Sequence, residues 1–216
     1  DGAMSTPLEA AGLNLNDTLW SAKALLECPD LVRKVHYDYY AAGANAVEAC
    51  SYQATEAAFA RKGIEKAEAS RLIRLSGELV REAKNDVLLD HPEWDPADLL
   101  TAGSIGPYGA YLADGSEYTG AYDLTREEYY AFHQLRLDEL LNSGMDILAI
   151  ETQPRFDEIE ALLAMIAERD ITCWVTVTLK DGDMPDGTKL EVLAKCLDAD
   201  PHVEAFGFNC VKREWV

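Results

Sequence analysis

The stretch Glu204-Ala205-Phe206-Gly207-Phe208-Asn209-Cys210 reads as a buried strand that delivers a thiol at its carboxyl end. A thiol so placed suits a metal site or a nucleophilic step, because the thiolate is both ligand and nucleophile. The plain alternative is a small buried hydrophobe, since free cysteine is among the most buried residue types. Polar residues also close other apolar runs: Ser51-Tyr52-Gln53, Ser104 in Gly103-Ser104-Ile105-Gly106-Pro107, and Glu151-Thr152-Gln153 after Ile147-Leu148-Ala149-Ile150. A carboxylate at the end of an apolar strand is costly unless it is paired or faces a polar pocket. Glu151 is therefore either an internal salt-bridge partner or an acceptor for a substrate ammonium. Trp20 and Tyr52 offer aromatic faces that favour a cation by about 0.5–2 kcal/mol, with a place in the core as the alternative for Trp20. Gln53 beside them has an amide able to hydrogen-bond a bound ligand.

Elements that alternate between helix and strand must position these groups. Helical spacing of apolar residues runs over 31–43 and ends on Gly43, and 44–52 reads as a strand. A long helical stretch over about 55–85, interrupted near its start by Gly63, precedes a strand over 99–107 closed by Gly-Pro. Residues 124–144 read as a helix with Thr125 as N-cap, Glu128 three residues on and Gly144 at its end. A strand over 145–154, a helix over 156–169, a strand over 172–180, a helix over 188–197 and a strand over 202–210 follow. Parallel strands joined by helical crossovers form an open doubly wound sheet or a closed barrel. No G-x-G-x-x-G follows any strand, which disfavours a dinucleotide fold. Function spread over many strand ends is the habit of a (β/α)8 TIM barrel, and that is the predicted fold. The start Asp1-Gly2-Ala3 reads as the exit of a further strand, so about six of the eight βα units are expected within the chain.

Composition narrows the partners. The 216 residues carry 39 acidic against 19 basic side chains, a formal net charge of −20. Such a surface repels phosphate backbones and anionic lipid, which argues against nucleic-acid and membrane partners. No apolar run approaches the roughly 20 residues of a membrane span, and the first residues lack the pattern of a signal peptide. Five scattered cysteines without a CxxC pair point to a reducing, cytoplasmic setting rather than a disulfide framework. Cys28, Cys50, Cys173 and Cys196 read as ordinary core or surface residues, and His36, His91, His133 and His202 as structural or surface residues. A chain that begins at Asp1 instead of Met is expected to have further residues before it.

Taken together, these stretches resemble the homocysteine S-methyltransferase family, zinc enzymes that move a methyl group onto homocysteine sulfur. The similarity is carried by DGAMSTPLE (1–9), NDTLWSAKALLECPDLVRKVHYDYYAAGAN (16–45), SYQAT (51–55), GSIGPYGAYLADGSEYTG (103–120), ILAIETQP (147–154), DGTKL (186–190) and FGFNC (206–210). It runs over essentially the whole chain in the family's order. The resemblance implies that Cys210 is a zinc ligand and that Glu151 accepts the homocysteine ammonium. It also implies that Asp1 and Asn209 contribute to the amino-acid pocket, and that Trp20, Tyr52 and Gln53 serve the donor or acceptor. Two features depart from the family pattern. Ala3 stands where a second Gly is usual, and the Cys-Cys pair that supplies the other two zinc ligands does not occur. The chain is thus expected to be one homocysteine-binding barrel domain, incomplete at both ends. Its remaining two cysteine ligands should lie C-terminal to Val216, and a chain ended there should hold no stoichiometric zinc. LWSAK and SYQA resemble the branch that uses S-methylmethionine or S-adenosylmethionine more than the betaine branch. A betaine- or folate-dependent relative and a non-catalytic small-molecule-binding barrel are the rival readings. Small molecules, homocysteine and a methyl-sulfonium donor, are the implied partners; the sequence leaves the oligomeric state open.

Overall fold

Local chemistry sets the ends of the elements. The computed structural model describes residues 2–215. Helices α1 (Ser5–Ala10), α2 (Ala24–Glu27) and α3 (Pro29–Ala41) come first, α3 starting on a proline whose missing N–H costs nothing at a helix N-terminus. Strand β1 (Ala46–Glu48) is shorter than the predicted 44–52, because residues 50–53 fold into a turn. The predicted 55–85 stretch is two helices, α4 (Glu56–Ala60) and α5 (Lys66–Asp90), broken at Gly63 with φ 74°. Thr55 caps α4 by accepting the Ala58 N–H at 3.0 Å.

Strand β2 (Leu100–Ile105) is followed by two short helices, α6 (Tyr108–Leu112) and α7 (Ser116–Thr119), and by α8 (Arg126–Asn142). The predicted capping box of α8 is present: Thr125 N–H donates to Glu128 Oε2 at 2.7 Å, and Glu128 N–H to Thr125 Oγ1 at 3.2 Å. Then come β3 (Ile147–Gln153), α9 (Phe156–Ala167), β4 (Cys173–Val177), α10 (Leu190–Ala199) and β5 (Val203–Phe208). The strands lie in the sheet in chain order, β1-β2-β3-β4-β5, and β1–β2, β3–β4 and β4–β5 are parallel pairs. Parallel neighbours in chain order are what right-handed βα crossovers produce.

The chain divides into two compact units, Asp1–Ser104 with Leu135–Ile147, and Ile105–Gln134 with Leu148–Val216. In the first, α3 packs on α5, burying Val32 and Val35 and, from α5, Leu72, Ile73, Val80 and Val87. Tyr40, fully buried, donates its hydroxyl to the Leu100 carbonyl at 2.7 Å. In the second, Leu148, Ala149 and Ile150 of β3 and Val175 and Val177 of β4 are buried, as are Ile159, Leu162, Leu163 and Ile166 on one stripe of α9. Burial on both faces explains the continuous apolar run of β3, whereas β4 alternates between buried and half-buried residues. Strand β5, expected to be buried, is exposed or half-exposed because it is the edge strand of the described sheet. No described helix is long and apolar enough to cross a membrane.

His36, on α3, is fully buried and neither ring nitrogen has a hydrogen-bond partner. Burial alone pushes its pKa down from 6.5 to about 3. Because the folded pKa is depressed, the native state binds fewer protons than the unfolded chain below pH 6.5, and stability falls as pH drops toward 3. Chemical unfolding should show His36→Leu losing about 1–2 kcal/mol less than the parent protein between pH 6.5 and 5. Equal losses would mean that His36 is protonated in the folded state.

Candidate active site

Where β3 ends, the ladder to β4 slips. Ile150 pairs with Val175 and Gln153 with Val177, so Glu151 and Thr152 together face Thr176. Such a bulge breaks strict alternation and re-aims a side chain. Thr152 is at φ 56°, a left-handed conformation costly for a β-branched residue. Glu151 is only half-buried here, although its neighbours in the strand are buried. The strand runs two residues beyond Glu151 and ends at Gln153, within the predicted 145–154.

The exit of β5 meets this bulge. Asn209 Nδ2 donates to Thr152 Oγ1 at 2.8 Å, and its Oδ1 is buried with no hydrogen-bond partner. Cys210 follows at φ 52°, again left-handed, and is exposed; the Thr178 hydroxyl reaches its carbonyl at 3.5 Å. Strained non-glycine residues of this kind persist only where the surrounding structure over-determines them. The sulfur is shielded enough that lost hydration raises the Cys210 pKa. A hydrogen bond with Thr152 works the other way, and the charges of Glu151 and Glu117 add to the rise. Of the residues singled out in the sequence, Glu151, Asn209 and Cys210 thus lie around Thr152, which the sequence did not single out. Glu117, on α7, is an acid that sequence reasoning passed over, inside a stretch that carries the family resemblance.

In the first unit, Trp20 and Tyr52 meet edge to face with ring centroids 6.2 Å apart. Trp20 is 37% exposed and at φ 44°, so it is not a core tryptophan. Gln53 is buried in the turn after β1. That turn is fixed from two sides: Ser51 Oγ donates to the Ser104 carbonyl at 2.8 Å, and buried Arg136 donates from Nη1 to the Tyr52 carbonyl at 2.6 Å. Asp1 lies outside the described residues.

The remaining cysteines are ordinary. Burial pushes the Cys50 and Cys173 thiols up to about 12, and all five cysteines are free. Among the described residues no group of three His, Cys, Asp or Glu side chains converges on a point that could hold a metal. A single thiolate does not make the three- or four-ligand site that zinc needs. The residues described therefore do not by themselves fit a zinc ion.

A parallel α/β chain that gathers polar side chains and a strained cysteine at its strand exits defines an enzyme of the (β/α)8-barrel class. The crystal structure of the metallated form of the homocysteine methyltransferase MmuM from Escherichia coli matches it with a TM-score of 0.93 at 49% identity, covering 99% of this chain and 74% of that one. The apo form of MmuM matches with a TM-score of 0.81. The homocysteine S-methyltransferase family model matches residues 1–216. The homocysteine S-methyltransferase of Escherichia coli K12 is 49% identical over 216 residues, which are 99% of this chain and 69% of that protein. YbgG of Bacillus subtilis, also a homocysteine S-methyltransferase, is 45% identical over 213 residues, 97% of this chain and 68% of its own length. The chain belongs to the homocysteine S-methyltransferase family, a family of methyltransferase enzymes, and spans somewhat over two thirds of the length of these relatives.

Arg136 was not visible as a site residue, yet its guanidinium holds the turn that carries Tyr52 and Gln53. Replacing it with Met removes the donor at the Tyr52 carbonyl and should destabilise the protein by about 1–3 kcal/mol in urea unfolding. Unchanged stability would show that this hydrogen bond does not hold the turn.

Proposed function

We propose that the chain is the larger part of an enzyme that transfers a methyl group from S-methylmethionine, or from S-adenosylmethionine, to the sulfur of homocysteine, giving methionine. The observation that supports this reading is the hydrogen bond from Asn209 to Thr152, which joins the β5 exit to the β3 bulge at the residues next to Cys210 and Glu151. Glu151 would accept the homocysteine ammonium, and the open Oδ1 of Asn209 is a second acceptor for it. Asp1 is assigned to the same pocket on the family resemblance alone. Trp20 and Tyr52 would present aromatic faces to a sulfonium, with Gln53 hydrogen-bonding the substrate backbone.

Zinc belongs to this reading through Cys210, with the other ligands coming from the part of the family's length outside these residues. Bound zinc would supply a thiolate at neutral pH, which the local acids oppose, since a coordinated thiol is deprotonated outright. What the chain itself does is hold and orient: the bulge aims Glu151, the Thr152–Asn209 hydrogen bond fixes the β5 exit, and the left-handed turn at Cys210 sets its sulfur. A cytoplasmic setting fits five free thiols and the absence of a CxxC pair in the sequence.

Methionine formation by the full-length protein from homocysteine and a donor panel tests the reaction. S-methylmethionine or S-adenosylmethionine should support turnover; activity only with betaine or a methylated folate would overturn the donor assignment. Glu151→Gln should raise the homocysteine KM roughly ten- to over a hundredfold while metal stays bound, since a charge-assisted hydrogen bond is worth about 1.5–3 kcal/mol. Unchanged homocysteine kinetics would make Glu151 a structural acid. Cys210→Ser should abolish both zinc binding and activity, and full zinc occupancy in that variant would contradict the ligand assignment.

A further inference from the structure

The segment between β2 and α8 is tied down at both ends by one helix turn. Glu158 on α9 is fully buried, and its Oε1 accepts the first N–H of α6, from Tyr108, at 2.7 Å. The same oxygen is 2.7 Å from His133 Nε2, and Oε2 accepts the Tyr122 hydroxyl at 2.6 Å. Arg155, gripped by Asp157 through Nε at 2.9 Å and Nη2 at 2.6 Å, donates from Nη1 to the Tyr122 carbonyl at 2.5 Å. Within the segment α6 lies so close to α7 that a Cβ at Gly109 would come within 2.5 Å of the Glu117 nitrogen. The backbone of α7 at Glu117 is therefore packed closely against α6.

Its Oε2 is buried and has no hydrogen-bond partner. Buried polar atoms are almost always satisfied, so one left open asks for an explanation. Burial raises the Glu117 pKa most; hydrogen bonds from the Glu117 and Gly115 backbone N–H groups work the other way, and the charge of Asp114 adds to the rise. The neighbourhood is that of the reacting sulfur: Glu117 acts electrostatically on the Cys210 thiol, and Cys210 on Tyr118.

We propose that Glu117 is a specificity-determining residue for the methyl donor, its open carboxylate oxygen reading the positive charge of a sulfonium, and that Glu158 and His133 are positioning residues for the segment that presents it. This rests on the function proposed above, in which Glu151 is already engaged by the acceptor ammonium. In the transfer the homocysteine thiolate lone pair forms the new S–CH3 bond while the CH3–S⁺ bond breaks. The bonding pair stays on the donor sulfur, which leaves as a neutral thioether. The charge that Glu117 attracts is thus largest before transfer and gone after it. Such an interaction strengthens donor binding without speeding the chemical step, so it acts on KM and not on kcat.

Two measurements on the full-length protein test this. In steady-state kinetics with S-methylmethionine and homocysteine, Glu117→Gln should raise the donor KM roughly ten- to a hundredfold. Its homocysteine KM should stay within about twofold and its kcat should be unchanged or higher. In calorimetric titrations the parent protein should bind S-methylmethionine more tightly than methionine, which has the same skeleton without the charge. Glu117→Gln should lose that preference, and Glu117→Asp, which keeps the charge, should retain part of it. An unchanged preference in Glu117→Gln, or a rise in the homocysteine KM alone, would overturn the inference. If the parent protein makes no methionine from these substrates, the proposed reaction fails, while the binding preference still decides the role of Glu117.

Discussion

A fully buried carboxylate with several donors is the constraint on which the second unit turns. Glu158 gathers a backbone N–H, a tyrosine hydroxyl and a histidine nitrogen within 2.6–2.7 Å. Without them, burying the acid would be heavily unfavourable, since a buried polar group without hydrogen-bond partners is costly. With them, the first turn of α9 is joined to α6, to Tyr122 and to α8. Because α9 follows β3 directly, the βα unit that presents Glu151 also fixes the segment bearing Glu117. Burial raises the Tyr122 hydroxyl's pKa, and the Glu158 charge adds to it, so Tyr122 serves as a neutral donor.

Aim is obtained at the strand exits by giving up backbone comfort. Thr152 and Cys210 both take left-handed φ values, and a non-glycine residue held there costs on the order of 1–3 kcal/mol. The bulge at Glu151–Thr152 disrupts the ladder at the same place. Regular strands would point Glu151 and Cys210 as the pleat dictates. The bulge and the two turns instead set an acid, an amide and a thiol around one another. Lost hydration raises the pKa of the Cys210 thiol at this place, and the charges of Glu151 and Glu117 add to the rise.

How far the sequence could be read follows from the range of the interactions. The α8 capping box was legible because its partners, Thr125 and Glu128, are three residues apart. The α9 stripe and the apolar β3 and β4 runs were legible because burial imposes a period on neighbouring residues. Cys210, Asn209 and Glu151 stood out because polar groups at the ends of apolar strands are unusual. The bulge was hidden, because register depends on a partner strand some 25 residues away. Arg136 and His133 were hidden too: they lie on the inward face of α8 with buried Glu139, which blurs its apolar stripe. Only the distant Tyr52 carbonyl and Glu158 carboxylate explain them. Glu117 carried no signal beyond lying in a stretch shared with the family.

The central claim is that the exits of β3 and β5 receive homocysteine, with its ammonium on Glu151 and its sulfur toward Cys210. A crystal structure of the full-length protein with homocysteine bound tests this most directly. The account predicts the ammonium within hydrogen-bond reach of Glu151 and Asn209 Oδ1, and the substrate sulfur sharing a metal ion with Cys210 Sγ at Zn–S distances of about 2.3 Å. Homocysteine seated away from Glu151, or a metal site that leaves Cys210 out, would contradict it.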